Sequence, residues 1–279
     1  MKFRTEIEEL HGSFGLGFDD RIVMLGSCFS DSIGERLAMD GFHVTHNPMG
    51  PLFNPLSVER AYFRRSDFVE ADFYHHGDLW HCMDGASRYA RADCAALAEA
   101  VNADRRLLTE ALEQATAVIF TFGSARAYRL RDTGAVVANC HRLPAAMFDE
   151  IDLDTESIVR AWTSAGLPKL PPKVIFTLSP IRYTAYGLAA NSLSKAVLRV
   201  AIDRICLLTG ADYFPAYEIV NDDLRDYRYY AADMKHPSDV AVEYIYEKFT
   251  EAYCTPQIRQ QIAENHRLAL RNCHIDKKK

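Results

Sequence analysis

Short apolar runs alternate with amphipathic helical patterns along this chain of 279 residues. The run RIVML, residues 21–25, is followed by Phe29, Ile33 and Leu37, whose i, i+4 spacing is typical of a helix that buries one face. Parallel neighbouring strands need crossover connections, so this alternation predicts a mainly parallel sheet with helices on both faces. The further predicted strands are FHVTHNP, AVIFTFG, KVIFTLS and YFPAYEI, and the further predicted helices lie near LSVERAYFRR, at 94–114, 155–165 and 191–208, and after HPSD.

The organisation of the chain favours one domain over residues 1–279. No repeat or long Pro/Gly linker divides it, so we expect a core at about 20–250 and a helical extension over 255–279. The stretch SARAYRLRDTGAVVANCHRLP predicts a hairpin beside the core, which turns at residues 132–134.

Composition excludes several classes of protein. A content of 48% hydrophobic and 25% charged residues is typical of a globular domain with a sizeable core. The net charge of -6 and the scattered Lys and Arg residues argue against nucleic-acid binding. The N-terminus lacks the apolar core of a signal peptide, and no apolar run approaches the roughly 18 residues of a membrane span. We therefore expect a cytoplasmic protein without a membrane partner.

The cysteine and histidine spacing indicates no metal centre or other cofactor. The seven cysteines are dispersed without a C-x-x-C pair, which argues against a disulfide framework and a structural zinc site. The densest cluster is YHHGDLWHC, where the adjacent pairs His75/His76 and His81/Cys82 would point to opposite faces of a strand.

Three polar segments, GSC, FGSA and SPIR, follow predicted strands, and ligands bind at the carboxyl ends of the strands in such sheets. Ser27 stands where a strand ends and a helix begins, so free backbone N–H groups gather around it. A serine nucleophile needs a base held by a carboxylate, and the loop DMKH places Asp233 three residues before His236. Taken alone, a serine at the position of Ser27 is usually a helix N-cap, and a histidine such as His236 is usually a surface-loop residue.

An ordered set of motifs in this chain resembles the GSCFA-domain family, a bacterial group related to the SGNH (GDSL-like) hydrolases. The motifs are, in this order, GSCFS, NPMGPLFNP, FGSARAY, NCHRLP, LSPIR, NSLSKAVL, YFPAYEI and DMKHPS. The resemblance covers about residues 20–250, with Ser30 in place of the alanine of the family name. It implies a flavodoxin-like, three-layer α/β/α sandwich in which Ser27 is the nucleophile and Asp233 and His236 complete the triad.

The resemblance also implies oxyanion donors from a glycine after the second strand and an asparagine after the third. The glycine corresponds to Gly50 in NPMG, where a missing side chain lets a backbone N–H approach substrate. The asparagine has no direct counterpart, because the chain has GSAR where SGNH enzymes have G-x-N-D. The donor is either missing or supplied by Ser124, Asn139 or His141, and Asn139 is equally suited to a turn or cap. Arg182, Asn191 and Lys195 are further candidates for substrate binding, although a solvated helix face would also explain Lys195.

These features predict a Ser-His-Asp esterase that transfers an acyl group to water. By analogy with related hydrolases, the expected substrate is a small ester such as an O-acetylated carbohydrate. The prediction requires His236 Nε2 within about 3.5 Å of Ser27 Oγ. Two alternatives remain open: an acyl transferase whose nucleophile is Cys28, favoured by the helix N-terminus, and a non-catalytic binding module. The residues leave the oligomeric state open.

Overall fold

The computed structural model describes residues 4–164 and 170–276, with side chains as far as residue 268. The strands are β1 (Arg21–Gly26), β2 (His43–His46), β3 (Tyr74–His76), β4 (Leu79–His81), β5 (Ala90–Arg91), β6 (Ala117–Phe122), β7 (Arg126–Leu130), β8 (Val136–Val137), β9 (Phe148–Asp152), β10 (Lys173–Leu178) and β11 (Asp212–Phe214). The α-helices are α1 (Cys28–Met39), α2 (Pro55–Phe63), α3 (Cys94–Glu113), α4 (Thr155–Ser164), α5 (Leu188–Thr209), α6 (Ala216–Glu218), α7 (Asp239–Tyr253) and α8 (Pro256–Asp276).

The central sheet has five parallel strands in the order β11, β10, β6, β1, β2. The apolar residues of β1 alternate between its faces: Val23 and Leu25 join one core cluster, and Ile22 and Met24 join the other. The first cluster packs against α2 to α5, and the second packs against α1 and α7. The predicted mainly parallel sheet between two helical layers is therefore confirmed, and the carboxyl ends of its strands meet at one edge.

A hairpin stands beside the core as predicted. Strand β7 pairs antiparallel with β8, and Gly134 takes a left-handed φ of 71° in the turn between them. A third strand, β9, pairs with the other edge of β7, which the sequence did not indicate. The segment FDEID is too acidic to suggest a strand, but its carboxylates face arginines of β7: Arg126 pairs with Asp152 and Glu150.

Two details differ from the sequence predictions. The histidine-rich segment forms a second small antiparallel sheet of β3, β4 and β5. The predicted strand YFPAYEI is extended only as far as Phe214, and the chain is helical from Ala216 onward. Pro215 lacks the N–H that a strand within a sheet would donate, which accounts for the early end of β11. The predicted extension 255–279 is helical over Pro256–Asp276, and its last three residues lie outside the described part of the chain.

Within the described ranges, no helix is both long enough and apolar enough to cross a bilayer.

Candidate active site

The bend between β1 and α1 leaves room only for glycine at its first position. Gly26 has a φ of 144°, and a Cβ built there would lie 2.1 Å from the carbonyl oxygen of Thr121 in β6. Strands β1 and β6 therefore approach each other closely where both end. Ser30 stands where the family name GSCFA has alanine. It donates its hydroxyl proton to Thr121 Oγ1 at 2.8 Å, so its polar side chain is hydrogen-bonded inside the core.

Ser27 acts as the N-cap of α1. Its side chain is fully buried, its Oγ accepts from the N–H of Phe29 at 3.4 Å, and its hydroxyl donates to Ser179 Oγ at 3.0 Å. The Ser27 proton is thus directed to the end of β10 rather than to His236. The hydrogen bond expected between Ser27 and His236 is replaced by a capping interaction that satisfies free N–H groups of the helix.

Asp233 and His236 form the pair that their spacing predicts. Asp233 Oδ2 lies 2.5 Å from His236 Nδ1, while Oδ1 accepts from the backbone N–H groups of Lys235 and His236 at 2.9 and 3.0 Å. The left-handed φ of 57° at Met234 turns the loop tightly enough for this contact. These hydrogen bonds hold the pKa of Asp233 well below its usual range, the backbone N–H of His236 contributing most. Asp233 is therefore a carboxylate at neutral pH and fixes the proton of His236 on Nδ1.

The free nitrogen of His236 faces Cys28. His236 Nε2 lies 3.6 Å from Cys28 Sγ, and Cys28, the first residue of α1, is partly exposed. Because Nδ1 carries the proton, Nε2 accepts from the thiol S–H. The side chain that faces the free imidazole nitrogen is therefore Cys28, which the sequence left open as an alternative nucleophile, and not Ser27.

The environment of Cys28 favours the protonated thiol. Burial raises the pKa of the Cys28 thiol, and the Asp31 and Asp233 carboxylates raise it further. Hydrogen bonds from the backbone N–H groups of Cys28 and Phe29 oppose the shift. Cys28 is thus held as a thiol rather than as a thiolate.

Asn47 ties the end of β2 to this bend. It is buried, with a φ of 38°; its Oδ1 accepts from the N–H of Gly26 at 2.9 Å, and its Nδ2 donates to Ser27 O at 3.3 Å and Asp31 Oδ1 at 3.0 Å. Asp31 also contacts His46 Nδ1 at 2.9 Å. The sequence feature that could have identified Asn47 as part of the site is its position at a strand end, immediately before Pro48.

Gly50 does not serve as the predicted oxyanion donor. Its N–H donates to Asn47 O at 2.7 Å, which closes the turn after β2. Its φ is 85°, and a Cβ there would lie 2.4 Å from Ala86 Cβ. Glycine is thus required for the turn and for close packing, and its N–H is already engaged.

Ser124 and Asn139 lie on one cavity of about 280 Å³, whose walls also include Phe53, Arg126, Tyr128, Tyr183 and Tyr186. The backbone N–H of Ser124 donates to Phe53 O, and its Oγ accepts from Arg126 N. Asn139 Oδ1 accepts from the N–H of His141, a turn interaction. Both residues therefore have structural partners, which agrees with the alternative prediction that Asn139 is a turn residue.

The other candidates lie in three different places. His141 is buried against His81, with its Nε2 2.8 Å from Cys82 O and its pKa lowered to about 4 by burial. Arg182 lines a cleft behind the His236 loop, and its backbone N–H donates to Lys235 O at 3.0 Å. Asn191 Oδ1 accepts from the N–H of Tyr183 at 2.9 Å.

Lys195 connects strand ends and is not on a solvated face. It is buried, and its Nζ donates to Gly123 O and Ser179 O, each at 2.7 Å. Burial lowers its pKa to about 7. It therefore holds the ends of β6 and β10 together beside Ser27.

Tyr183 is a residue that the sequence did not single out. Its hydroxyl is buried and has no hydrogen-bond partner among the described residues, and a Cβ on Gly123 would lie 2.7 Å from it. Burial raises its pKa well above the usual value, and charge on Cys28 raises it further. Tyr183 is thus a protonated donor near Cys28. The only sequence feature that could have drawn attention to it is the SPIR motif beside it.

Comparison with known proteins gives one match. The model of the GSCFA family matches residues 21–249, which includes the bend, the cavity and the His236 loop. Searches of curated proteins and of solved structures each returned no match. Because the family model covers most of the chain, this protein belongs to the GSCFA family.

Proposed function

We propose that this protein is an acylhydrolase whose nucleophile is Cys28. The observation that supports this role is the 3.6 Å contact between Cys28 Sγ and His236 Nε2, with Asp233 on the opposite nitrogen of the ring. The arrangement is that of a nucleophile, a base and an orienting carboxylate. The role of Cys28 depends on these contacts and not on the SGNH resemblance, which stays a prediction.

In the proposed reaction, Cys28 Sγ attacks an ester carbonyl while its proton passes to His236 Nε2. The alcohol leaves with that proton, and a thioester forms between the acyl group and Cys28. A water then attacks the thioester, giving one proton to His236; the acid departs and the thiol is regenerated. Asp233 stabilises the imidazolium in both steps.

Two kinds of donor are available for the oxyanion. The first is the backbone N–H of Cys28, which points to the sulfur at the positive end of the α1 dipole, whereas the N–H of Phe29 is engaged by Ser27 Oγ. The second is the unpartnered hydroxyl of Tyr183, which in this scheme takes the place of the asparagine in G-x-N-D. Losing one such donor commonly costs on the order of 100-fold in turnover.

Single substitutions distinguish the two nucleophiles. We expect Cys28→Ala and His236→Ala to lower kcat for a chromogenic acetyl ester by at least about 1,000-fold. Ser27→Ala removes a cap and is expected to cost about 1 kcal/mol of stability, while retaining kcat within about 10-fold. The measurement is initial-rate kinetics on variants whose folding is checked by circular dichroism.

The opposite order, with Ser27→Ala inactive and Cys28→Ala active, would restore the serine mechanism. If the wild-type protein hydrolyses no ester from a broad acyl panel and no thiol-directed acyl probe labels Cys28, the non-catalytic binding module is the better hypothesis.

A further inference from the structure

A second cleft, of about 300 Å³, lies against the back of the His236 loop, and its walls include Arg182, Leu188, Asn221, Arg225, Tyr227 and Tyr230. Two contacts join it to the loop: the N–H of Arg182 donates to Lys235 O, and Tyr230 forms a β-bridge with Pro237. Whatever binds here is therefore held beside the base of the triad.

The guanidinium of Arg182 is the unneutralised charge of this cleft. It lies 5.6 Å from the ring centre of Tyr227 and 5.0 Å from that of Tyr230, and it forms no ion pair with any carboxylate of residues 4–164 or 170–268. Asp226 also lines the cleft, but its Oδ1 accepts from both the N–H and the Nε of Arg228. The carboxylate in the cleft is thus already paired.

Two aromatic rings keep this guanidinium in place, and a side-chain hydrogen bond to Tyr230 uses part of its N–H fork. A planar fork of this kind suits a carboxylate or phosphate, to which it can donate two parallel hydrogen bonds. The faces of Tyr227, which is 67% exposed, and of Leu188, which is 56% exposed, offer apolar surface next to the charge. The cleft therefore combines apolar walls with a cation that has no carboxylate partner in the described part of the chain.

We propose that the substrate carries an anionic group, a carboxylate or a phosphate, which Arg182 holds in this cleft while the acyl carbon lies at Cys28. This inference rests on the proposed function and adds the substrate class. Arg182 determines specificity through ground-state binding, so its loss raises KM for anionic esters.

Matched esters test the inference with the anion on either side of the scissile bond. On the acyl side, 4-nitrophenyl hemisuccinate is compared with its neutral succinamate and with the 3-phosphonopropionate. On the alcohol side, 4-acetoxybenzoate is compared with 4-acetoxybenzamide and with 4-acetoxyphenyl phosphate. In at least one set, we expect KM to be about 10-fold or more lower for an anionic ester than for the neutral one. Arg182→Gln should abolish this preference.

The matched control is Arg106→Gln, which removes an exposed arginine paired with Asp67 outside the cleft and should keep the preference. No preference for an anion in either set, or a preference that survives Arg182→Gln, would overturn the inference.

A binding measurement separates this inference from the proposed function. Succinate and inorganic phosphate are titrated calorimetrically into Cys28→Ala, and we expect at least one to bind there and not to Cys28→Ala/Arg182→Gln. Anion binding without hydrolysis of any ester would contradict the proposed function alone. Ester hydrolysis with no anion binding by either protein would contradict the anionic substrate alone.

Discussion

Ser27 and Cys28 are one position apart, but their side chains make different contacts. The N-cap side chain turns back to accept from free N–H groups of the helix, as Ser27 does with Phe29. The next residue has entered the helix, and its side chain is released from capping. Cys28 is for this reason available to His236, while Ser27 is committed to Phe29 and Ser179. From the sequence, Ser27 was the expected nucleophile and Cys28 the alternative.

The protonation state of Cys28 gives a prediction at this scale. Because burial and two carboxylates raise its pKa above that of an ordinary cysteine, the rate of Cys28 alkylation by iodoacetamide should still rise above pH 8.5. Only the thiolate reacts, and raising the pKa moves its formation to higher pH. The measurement is the alkylation rate of the Cys28 peptide by mass spectrometry between pH 5 and pH 10.

Cys206, whose pKa burial raises to about 12, is the internal reference in the same digest and should react more slowly than Cys28. A Cys28 rate that is already constant below pH 7 would indicate a preformed thiolate, contrary to the protonated thiol described here.

At the scale of elements, the apolar periods predicted every strand of the central sheet and the helices beside it. Local turn chemistry was equally informative: the D-x-x-H spacing gave the contact between Asp233 and His236. The side-chain bonds between strand ends were not predictable, because Asn47, Ser179 and Lys195 act on partners far along the chain. Periodicity locates an element but does not indicate which polar side chains its end will meet.

Asn47 provides a prediction for these connections between elements. Asn47→Ala leaves the N–H of Gly26 without its acceptor in a buried bend, so we expect the free energy of unfolding to fall by about 2–4 kcal/mol. Activity should fall as well, because the same side chain holds the bend that carries Cys28. Urea unfolding at pH 7 measures the first effect and ester hydrolysis measures the second.

Asn47→Gly is the matched variant. Since φ is 38° at this position, glycine avoids the backbone strain of alanine, and it should be about 1 kcal/mol more stable than Asn47→Ala while still below wild type. Equal stability of Asn47→Ala and the wild-type protein would show that the side chain does not hold the bend.

At the scale of the whole molecule, the sheet topology brings together residues that are 208 positions apart, Cys28 at the start of α1 and His236 before α7. The sequence predicted this meeting place, since strand ends share one edge of a parallel sheet. It did not predict which atom would face the base, because that depends on the cap of α1 and on the bond to Ser179. Gly50 shows the same limit: the sequence suggested a backbone N–H free to approach substrate, but that N–H is engaged by Asn47 O.

The most direct test of the central claim is the site of acylation. The wild-type protein is quenched in acid during turnover of a slowly hydrolysed chromogenic ester, and its peptides are sequenced by tandem mass spectrometry, with Cys28→Ala as the control. We predict one acyl group on Cys28, held as a thioester that neutral hydroxylamine releases, and no adduct on Ser27 in either protein. An acyl group on Ser27 that is stable to neutral hydroxylamine and persists in Cys28→Ala would contradict the account.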